Sequence, residues 1–423
     1  MISAWITVLL AVPVLCFGEW LVRRIHLLSR FNIPAPVAGG LIVSLVLLFL
    51  NLSGNPLQFE TKVSAQWWTW LATIEPEWVK APAKSVNLPF LVAFFTCIGL
   101  NASWALARKG SLAVAIFLGL ASILAVFQNL IGVGLAKAMG VSPLLGLVCG
   151  STTMTGGHGT AMGFASEFEK AGLHGAAAMG MAAATFGLIA GGLLGGPVGG
   201  SLIRRDKLSP SIMAATHLEA GQAAPSGILA DFRAVWNLGK DAARHLLILL
   251  LCVKLGAWLS FAIQQTGITF PVYMGAMVLA VAVRNLFDYF NLRWLKTETI
   301  DTFASLFLGI FLAVAMMSLN LIELANAAMP MLIVLSCQVL VMALFARYVT
   351  YRFMGRDFDA AVIAGGHCGF GLGATPNAIA NMKALAEAYG PAPRAFLVLP
   401  IVGAFLVDFV NALNITFFLN LLK

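Results

Sequence analysis

Charge is what this chain has least of. Only 10% of its residues are charged, with 26 basic and 18 acidic side chains. Soluble domains carry about a quarter, so an ordinary water-facing surface is excluded. Cysteine is sparse and scattered. Cys16, Cys97, Cys149, Cys252, Cys337 and Cys368 stand singly, with neither a disulfide framework nor paired-ligand spacing. His158, His367 and the neighbouring Cys368 lack a carboxylate cluster and make a poor zinc set. No Walker-type phosphate loop is present, which argues against ATP as the driving force. No nucleophile elbow stands on a strand and no Ser-His-Asp set is recognisable, so an enzyme is not expected, nor a cofactor. No Lys or Arg precedes the first apolar run, unlike a cleaved signal peptide with a basic start. The formal charge of +8 would suggest nucleic acid in a soluble protein. Here it reads as Lys and Arg in cytoplasmic loops, and no nucleic-acid partner is expected.

What the chain has in abundance is apolar sequence: 60% of residues are hydrophobic, and the mean hydropathy is +0.90. The expectation is an all-α integral membrane protein whose partner is the lipid bilayer. A helical span takes about 20 apolar residues. Ten such runs are read, at about 3–22, 36–54, 88–106, 111–136 and 177–202, then 245–265, 270–288, 302–321, 325–347 and 395–420.

Two stretches interrupt this pattern. Residues 150–161 read Gly-Ser-Thr-Thr-Met-Thr-Gly-Gly-His-Gly-Thr-Ala. Residues 365–376 read Gly-Gly-His-Cys-Gly-Phe-Gly-Leu-Gly-Ala-Thr-Pro. At a constant offset of 215, Met139-Gly140 meets Met354-Gly355, Gly150 meets Gly365, Gly156 meets Gly371 and Thr160 meets Thr375. Each stretch falls between the fourth and fifth spans of its half. The surrounding segments, about 143–168 and 358–384, suit a re-entrant helix-turn-helix hairpin. Further matches pair Ile33-Pro-Ala-Pro36-Val37 and Gly40 with Ile268-Thr-Phe-Pro271-Val272 and Gly275, and Leu100-Asn101 with Leu319-Asn320. The expected organisation is an N-terminal repeat at 1–203, a cytoplasmic linker at 204–243 and a C-terminal repeat at 244–423. Five spans per repeat is odd, so the second copy must be inverted.

Basic residues orient the chain. Arg23, Arg24 and Arg30, Arg204, Arg205 and Lys207, and Arg347, Arg352 and Arg356 fall in alternate connections. The positive-inside rule then places both termini outside, with the first hairpin entering from outside and the second from the cytoplasm. The linker is expected to be partly helical and partly flexible. Residues 55–87, with Trp67, Trp68, Trp70 and Trp78, read as an external interfacial segment. Gly191, Gly195 and Gly199, interleaved with Gly192, Gly196 and Gly200, favour close helix packing within the chain.

Glycine-rich, hydroxyl-rich backbone in apolar surroundings is costly unless it lines a cavity or is buried in protein. Two such pieces at matching places point to a transporter binding site. Broken helices offer free N–H groups and a positive dipole end to an anion. Ser151, Thr152, Thr153, Thr155 and Thr160 supply hydroxyls in the first hairpin, and Gly156 and Gly157 allow close approach. Gly371, Gly373 and Thr375 mark the second turn, and Pro376 starts its returning helix. Asp408 is a lone acid deep in the last span, a functional hypothesis by default. Unwound carbonyls and hydroxyls can coordinate sodium, a hard cation that favours oxygen, and Asn101, Asn320, Gly369 and Asn411 are the candidates for its site. Gln128, Asn129 and Gln338 are weaker candidates of the same kind.

These residues resemble the bacterial glutamate:sodium symporters. The resemblance rests on residues 33–40, Ile98-Gly-Leu-Asn101, Gly156-Gly-His-Gly-Thr160, Gly195-Gly-Pro197 and the long run from Ala364 to Met382. It implies two inverted five-helix halves, elevator-type import of L-glutamate by Na⁺ symport, a homodimer and the bacterial inner membrane. The external loop at 60–87 is long for the family, which leaves its role as a lid open. The residues alone reach a secondary transporter of a small polar or anionic solute. Alternatives are a symporter for another small carboxylate or acidic amino acid, and a passive channel. Asp408 favours an amino acid, because a pure carboxylate has no ammonium for it to meet.

Overall fold

The computed structural model describes residues 2–53, 57, 59–80, 83–103, 111–210, 227–268, 270–292, 294–319 and 321–422. In chain order the main helices are α1 (Ala4–Arg24), α2 (Ala35–Leu52), α3 (Leu88–Asn101), α4 (Ser111–Ala138), α5 (Pro143–Leu147), α6 (Gly157–Lys170), α7 (Ala176–Arg205), α8 (Ile228–Leu238), α9 (Lys240–Gln264), α10 (Val272–Tyr289), α11 (Thr297–Met317), α12 (Leu321–Leu344), α13 (Phe358–Gly371), α14 (Thr375–Tyr389), α15 (Pro393–Ile401) and α16 (Val407–Leu421). Wider π-helical turns extend α5 through Val148–Thr152 and α12 through Phe345–Thr350, and join α15 to α16 through Val402–Leu406.

Among the described residues, eight helices are long and apolar enough to cross a bilayer. Leu9, Phe49, Leu112 and Leu247 are largely exposed on them. Apolar surface of this kind suits lipid and not water, and the chain is a multi-pass membrane protein. Two expected spans are shorter or less regular than the apolar runs suggested. The third, read to 106, is helical for 14 residues and leaves helical geometry at Ala102. The last is divided at 402–406, just after Pro400, where the missing N–H loosens the helix ladder.

Matched sequence opens matched structure. Both Ile-x-x-Pro-Val segments lead into helices, α2 and α10. The fourth spans, Leu112–Ala138 and Ala327–Phe353, are each 27 residues and coincide at the 215-residue offset. Each ends on a left-handed glycine, Gly140 at φ +70° and Gly355 at φ +114°. In each cap the following residue donates back five positions, Val141 to Ala136 and Arg356 to Tyr351. A side chain would strain that turn, so glycine stands there.

The chain forms two compact units, each drawing on both halves of the sequence. Unit 1 comprises Met1–Trp104 and Ala224–Glu323; unit 2 comprises Ala105–Ala223 and Leu324–Lys423. In unit 1, α1 crosses α2 at Gly18, where a Cβ would lie 2.0 Å from the Ala35 carbonyl oxygen. Similarly α9 crosses α10 at Gly275, where a Cβ would lie 2.3 Å from the Gly256 carbonyl oxygen. Part of the linker is built into this unit: α8 buries Ile228, and Glu19 accepts from the Ile228 N–H at its start. The tryptophan-rich segment contains a short antiparallel pairing of Lys62–Val63 with Lys84–Ser85. Lys254 Nζ donates to the carbonyls of Trp70 (2.7 Å) and Thr73 (2.9 Å) and lies 4.3 Å from the Trp70 ring centroid. The charge inside this span is thus held by carbonyls and an aromatic face.

In unit 2, α7 lays its every-fourth glycines against α13 and α14. A Cβ on Gly195 would lie 2.5 Å from the Gly365 carbonyl oxygen and 2.0 Å from Asn381 Nδ2. On Gly191 it would lie 3.0 Å from the Cys368 carbonyl oxygen. The glycine row serves packing within the chain, as its spacing suggested. At the end of α7, Asp206 receives Arg205 and the Tyr351 hydroxyl. The Arg205 hydrogen bond, then that of Tyr351, holds the Asp206 carboxyl well below the usual carboxylate range.

Candidate functional site

Both glycine-rich stretches lie in unit 2, and each folds as a helix, a turn and a second helix. The first is α5 with its π-turn, the turn 153–156 and α6. Within its π-turn, Gly150 leaves helical geometry at φ −89°, ψ −141°. The second is α13, the turn 372–374 and α14. The turns approach one another at Gly157, where a Cβ would lie 2.8 Å from the Gly373 carbonyl oxygen. Gly157 also has φ +62°. A side chain there would be strained and would push the two turns apart.

One side chain ties both turns. Gln128 is fully buried on α4, and a buried amide needs partners for both its ends. Its Nε2 donates to the Gly371 carbonyl (2.6 Å), a helix-end acceptor of α13. Its Oε1 accepts from the Thr155 hydroxyl (2.7 Å). Gln338 Nε2 on α12 donates to the Gln128 backbone carbonyl (2.7 Å) and fixes that turn of α4. Fourth-span glutamines from the two halves therefore meet, and one of them bridges the two glycine-rich turns.

Beside it, three asparagines surround Ser151. Asn129 Oδ1 accepts the Ser151 N–H (2.8 Å), and Asn411 Nδ2 donates to the Ser151 carbonyl (2.9 Å). Asn414 Nδ2 lies 3.4 Å from the Ser151 hydroxyl. Asn129, Ser151, Thr152 and Asn411 are all buried. These four side chains are uncharged, so at them an ionic solute depends on amide and hydroxyl groups and on helix termini. Glycine-opened backbone at the ends of α5 and α13, with helix starts at α6 and α14, supplies those termini.

A family model described as sodium/glutamate symporter matches residues 1–74 and 78–391. The chain belongs to the sodium/glutamate symporter family. It is 38% identical to the sodium/glutamate symporter of Haemophilus influenzae over 420 residues, covering 97% of this chain and 95% of that one. It is also 38% identical to the sodium/glutamate symporter of Escherichia coli over 427 residues, covering 98% and 97% respectively.

In this family member the hydroxyls divide by where their protons go. Thr153 donates to the Val148 carbonyl (2.7 Å), Thr155 to Gln128, and Thr375 to the Gly403 carbonyl (2.9 Å). A hydroxyl has one proton, so these three have no proton left for a solute in this state. Thr152 Oγ1 is buried and unpartnered among the described residues. Thr160 packs on Gly156, its Cβ 2.6 Å from where a Gly156 Cβ would lie. Gly369 accepts the Ala374 N–H (3.2 Å) and closes the second turn. Asp408 is half-buried, three residues before Asn411 on α16, with no hydrogen-bond or ion-pair partner among the described residues. Asn101 lies in unit 1, where Nδ2 donates to Asp301 Oδ1 (2.7 Å). Asn320 lies outside the described residues. His158 meets the Thr185 hydroxyl (3.0 Å), and His367 Nδ1 meets the Thr350 hydroxyl (2.8 Å).

Sequence reasoning set the amides below the hydroxyls. Gln128, Asn129 and Gln338 were the weaker candidates, and Asn414, Asn377 and Asn381 were not singled out. Asn377 Nδ2 donates to the Leu188 carbonyl (2.6 Å) and Asn381 Nδ2 to that of Gly191 (3.0 Å), which pins α14 to α7. Their spacing of four residues on one helix face was the available signal.

Proposed function

We propose that this family member is a secondary transporter that imports L-glutamate together with Na⁺. One observation carries the reading: two uncharged, glycine-opened hairpin turns meet inside one compact unit and share Gln128. Such a site presents backbone and amide groups to a solute without a fixed countercharge, which suits an anion accompanied by its own cation. The names of the relatives supply glutamate and sodium.

The reading extends to how the solute crosses. The two halves are inverted repeats, and the hairpins are re-entrant from opposite faces, the first from outside and the second from the cytoplasm. Unit 2, which holds both hairpins, is the carrier body of an elevator, and unit 1 is the stationary body of a homodimer. The location is the bacterial inner membrane, with both termini outside, as the basic residues favour. Asp408 and the hairpin residues from Ser151 to Thr160 and from Gly371 to Thr375 enclose the substrate. Uptake of labelled L-glutamate into proteoliposomes tests the coupling. An inward sodium gradient should drive accumulation, and equal uptake with potassium alone would overturn it.

A further inference from the structure

The asparagines around Ser151 leave an unusual remainder. A backbone N–H only donates and a backbone carbonyl only accepts. The Ser151 N–H therefore fixes which end of the Asn129 amide faces it, namely Oδ1. The Ser151 carbonyl likewise fixes Asn411, with Nδ2 facing it. The opposite ends are then determined. Asn129 is left with a buried NH₂ donor and Asn411 with a buried carbonyl acceptor, and neither has a partner among the described residues. Thr152 Oγ1, on the next residue after Ser151, is a third buried polar atom without a partner. Native structures rarely leave such groups unsatisfied. Here three of them come from α4, the π-turn and α16, around one backbone residue. One is a donor suited to an anionic oxygen. Two are oxygens suited to a hard cation.

We propose that the asparagine cradle around Ser151 is a sodium–carboxylate subsite. Asn129 Nδ2 meets a carboxylate oxygen of the solute, and Asn411 Oδ1 with Thr152 Oγ1 meets the sodium ion. This rests on the reading of the protein as a sodium-coupled carrier of an acidic amino acid. It adds which atoms receive each ion, and it gives Asn129 a role in contact with the substrate. The arrangement also accounts for coupling in chemical terms. A carboxylate alone would leave the two oxygens unmet, and sodium alone would leave the amide donor unmet.

The test separates the contact role from a scaffold role. Purified full-length protein is titrated with radiolabelled L-glutamate at fixed NaCl, then with NaCl at fixed L-glutamate, choline replacing sodium. Asn129→Asp keeps the oxygen that accepts the Ser151 N–H and replaces the free donor with a charged oxygen. Asn411→Asp keeps the free oxygen and loses the donor to the Ser151 carbonyl. The subsite requires N129D to weaken glutamate binding by about tenfold or more, the scale of one hydrogen bond to a charged group. It requires N411D to hold or improve the half-saturating sodium concentration, and Asn411→Leu to raise it by a similar factor. A cradle that merely supports the backbone gives the reverse: N129D silent and N411D damaging. That pattern overturns the proposal. Should either aspartate variant fail to fold, as size exclusion would show, Thr152→Val decides alone. Raised sodium half-saturation in T152V supports the subsite, and an unchanged value overturns it. Absence of sodium-dependent binding in the unsubstituted protein would instead refute the underlying transport reading.

Discussion

Gln128 shows how much one buried amide can organise. Because its carboxamide is shared between Thr155 and Gly371, damage to one contact should be felt at the other. Gln128→Ala removes both contacts, and Thr155→Val removes one. If the bond is shared, the double variant should lose less uptake than the sum of the singles, with a coupling of about 0.5–3 kcal/mol. Strictly additive losses in initial uptake rate would show that the hydrogen bond contributes nothing to transport. Asp408 calls for a different experiment, since no protein group answers its charge among the described residues. Asp408→Asn should cut coupled uptake by about tenfold or more, as expected when a hydrogen bond to a charged group is lost, with the purified protein still monodisperse. Undiminished uptake would remove Asp408 from the site. The acid was legible in the sequence because a lone carboxylate in an apolar span is costly wherever it points. The amides were not, because an amide is tolerable in many settings, and the partner of Gln128 that gives it meaning, Gly371, lies 243 residues away. The hydroxyls show a related limit of composition. Composition counts oxygens but does not show where each proton is already committed.

At the scale of elements, α7 offers a sharp internal control. Gly195 and Gly196 are adjacent, yet a Cβ on Gly195 would overlap Asn381 and the Gly365 carbonyl, whereas one on Gly196 would meet nothing within 4 Å. Gly195→Ala must separate α7 from α13 and α14, and overpacking of this kind costs about 1–3 kcal/mol. Gly196→Ala should be neutral or stabilising by up to about 1 kcal/mol, because alanine loses less backbone freedom in a helix. Thermal unfolding in detergent compares the two; equal midpoints would show that α7 does not pack as described. The sequence displayed both interleaved glycine rows and could not say which faced the neighbouring helices. The spans were legible for a simpler reason, since an apolar run of bilayer length has few other uses. Their ends were not, as the short third span and the turn after Pro400 show, because hydropathy does not register where a helix ladder breaks. The linker was half legible: α8 looks like connecting sequence until Glu19, more than 200 residues earlier, is seen at its first turn.

At the scale of the whole molecule, the sequence matches run along the chain, whereas compact packing gathers the first three apolar segments of both halves into one unit and the glycine-rich stretches of both into the other. Repetition records which segments match; packing records which apolar faces cover one another. If the hairpins are gates, the native thiol of Cys368 reports on the second. Cys368 is fully buried on α13, with its carbonyl against Gly191 of α7, so a reagent reaches it only when α13 loosens. Cys149 is buried at the equivalent part of the first hairpin and must be removed for the readout to be clean. Alternating access exposes a site to one side at a time. A ligand shifts that equilibrium only if it binds one state better. In a variant that retains Cys368 as its only cysteine, a membrane-impermeant thiol reagent should therefore react slowly and from the cytoplasmic face. Sodium with glutamate should slow the reaction more than either alone if the closed state is the one that binds both. Labelling solely from outside would refute the orientation drawn from the basic residues. Labelling indifferent to both ligands would mean that the second hairpin is not the gate, whatever the first one does.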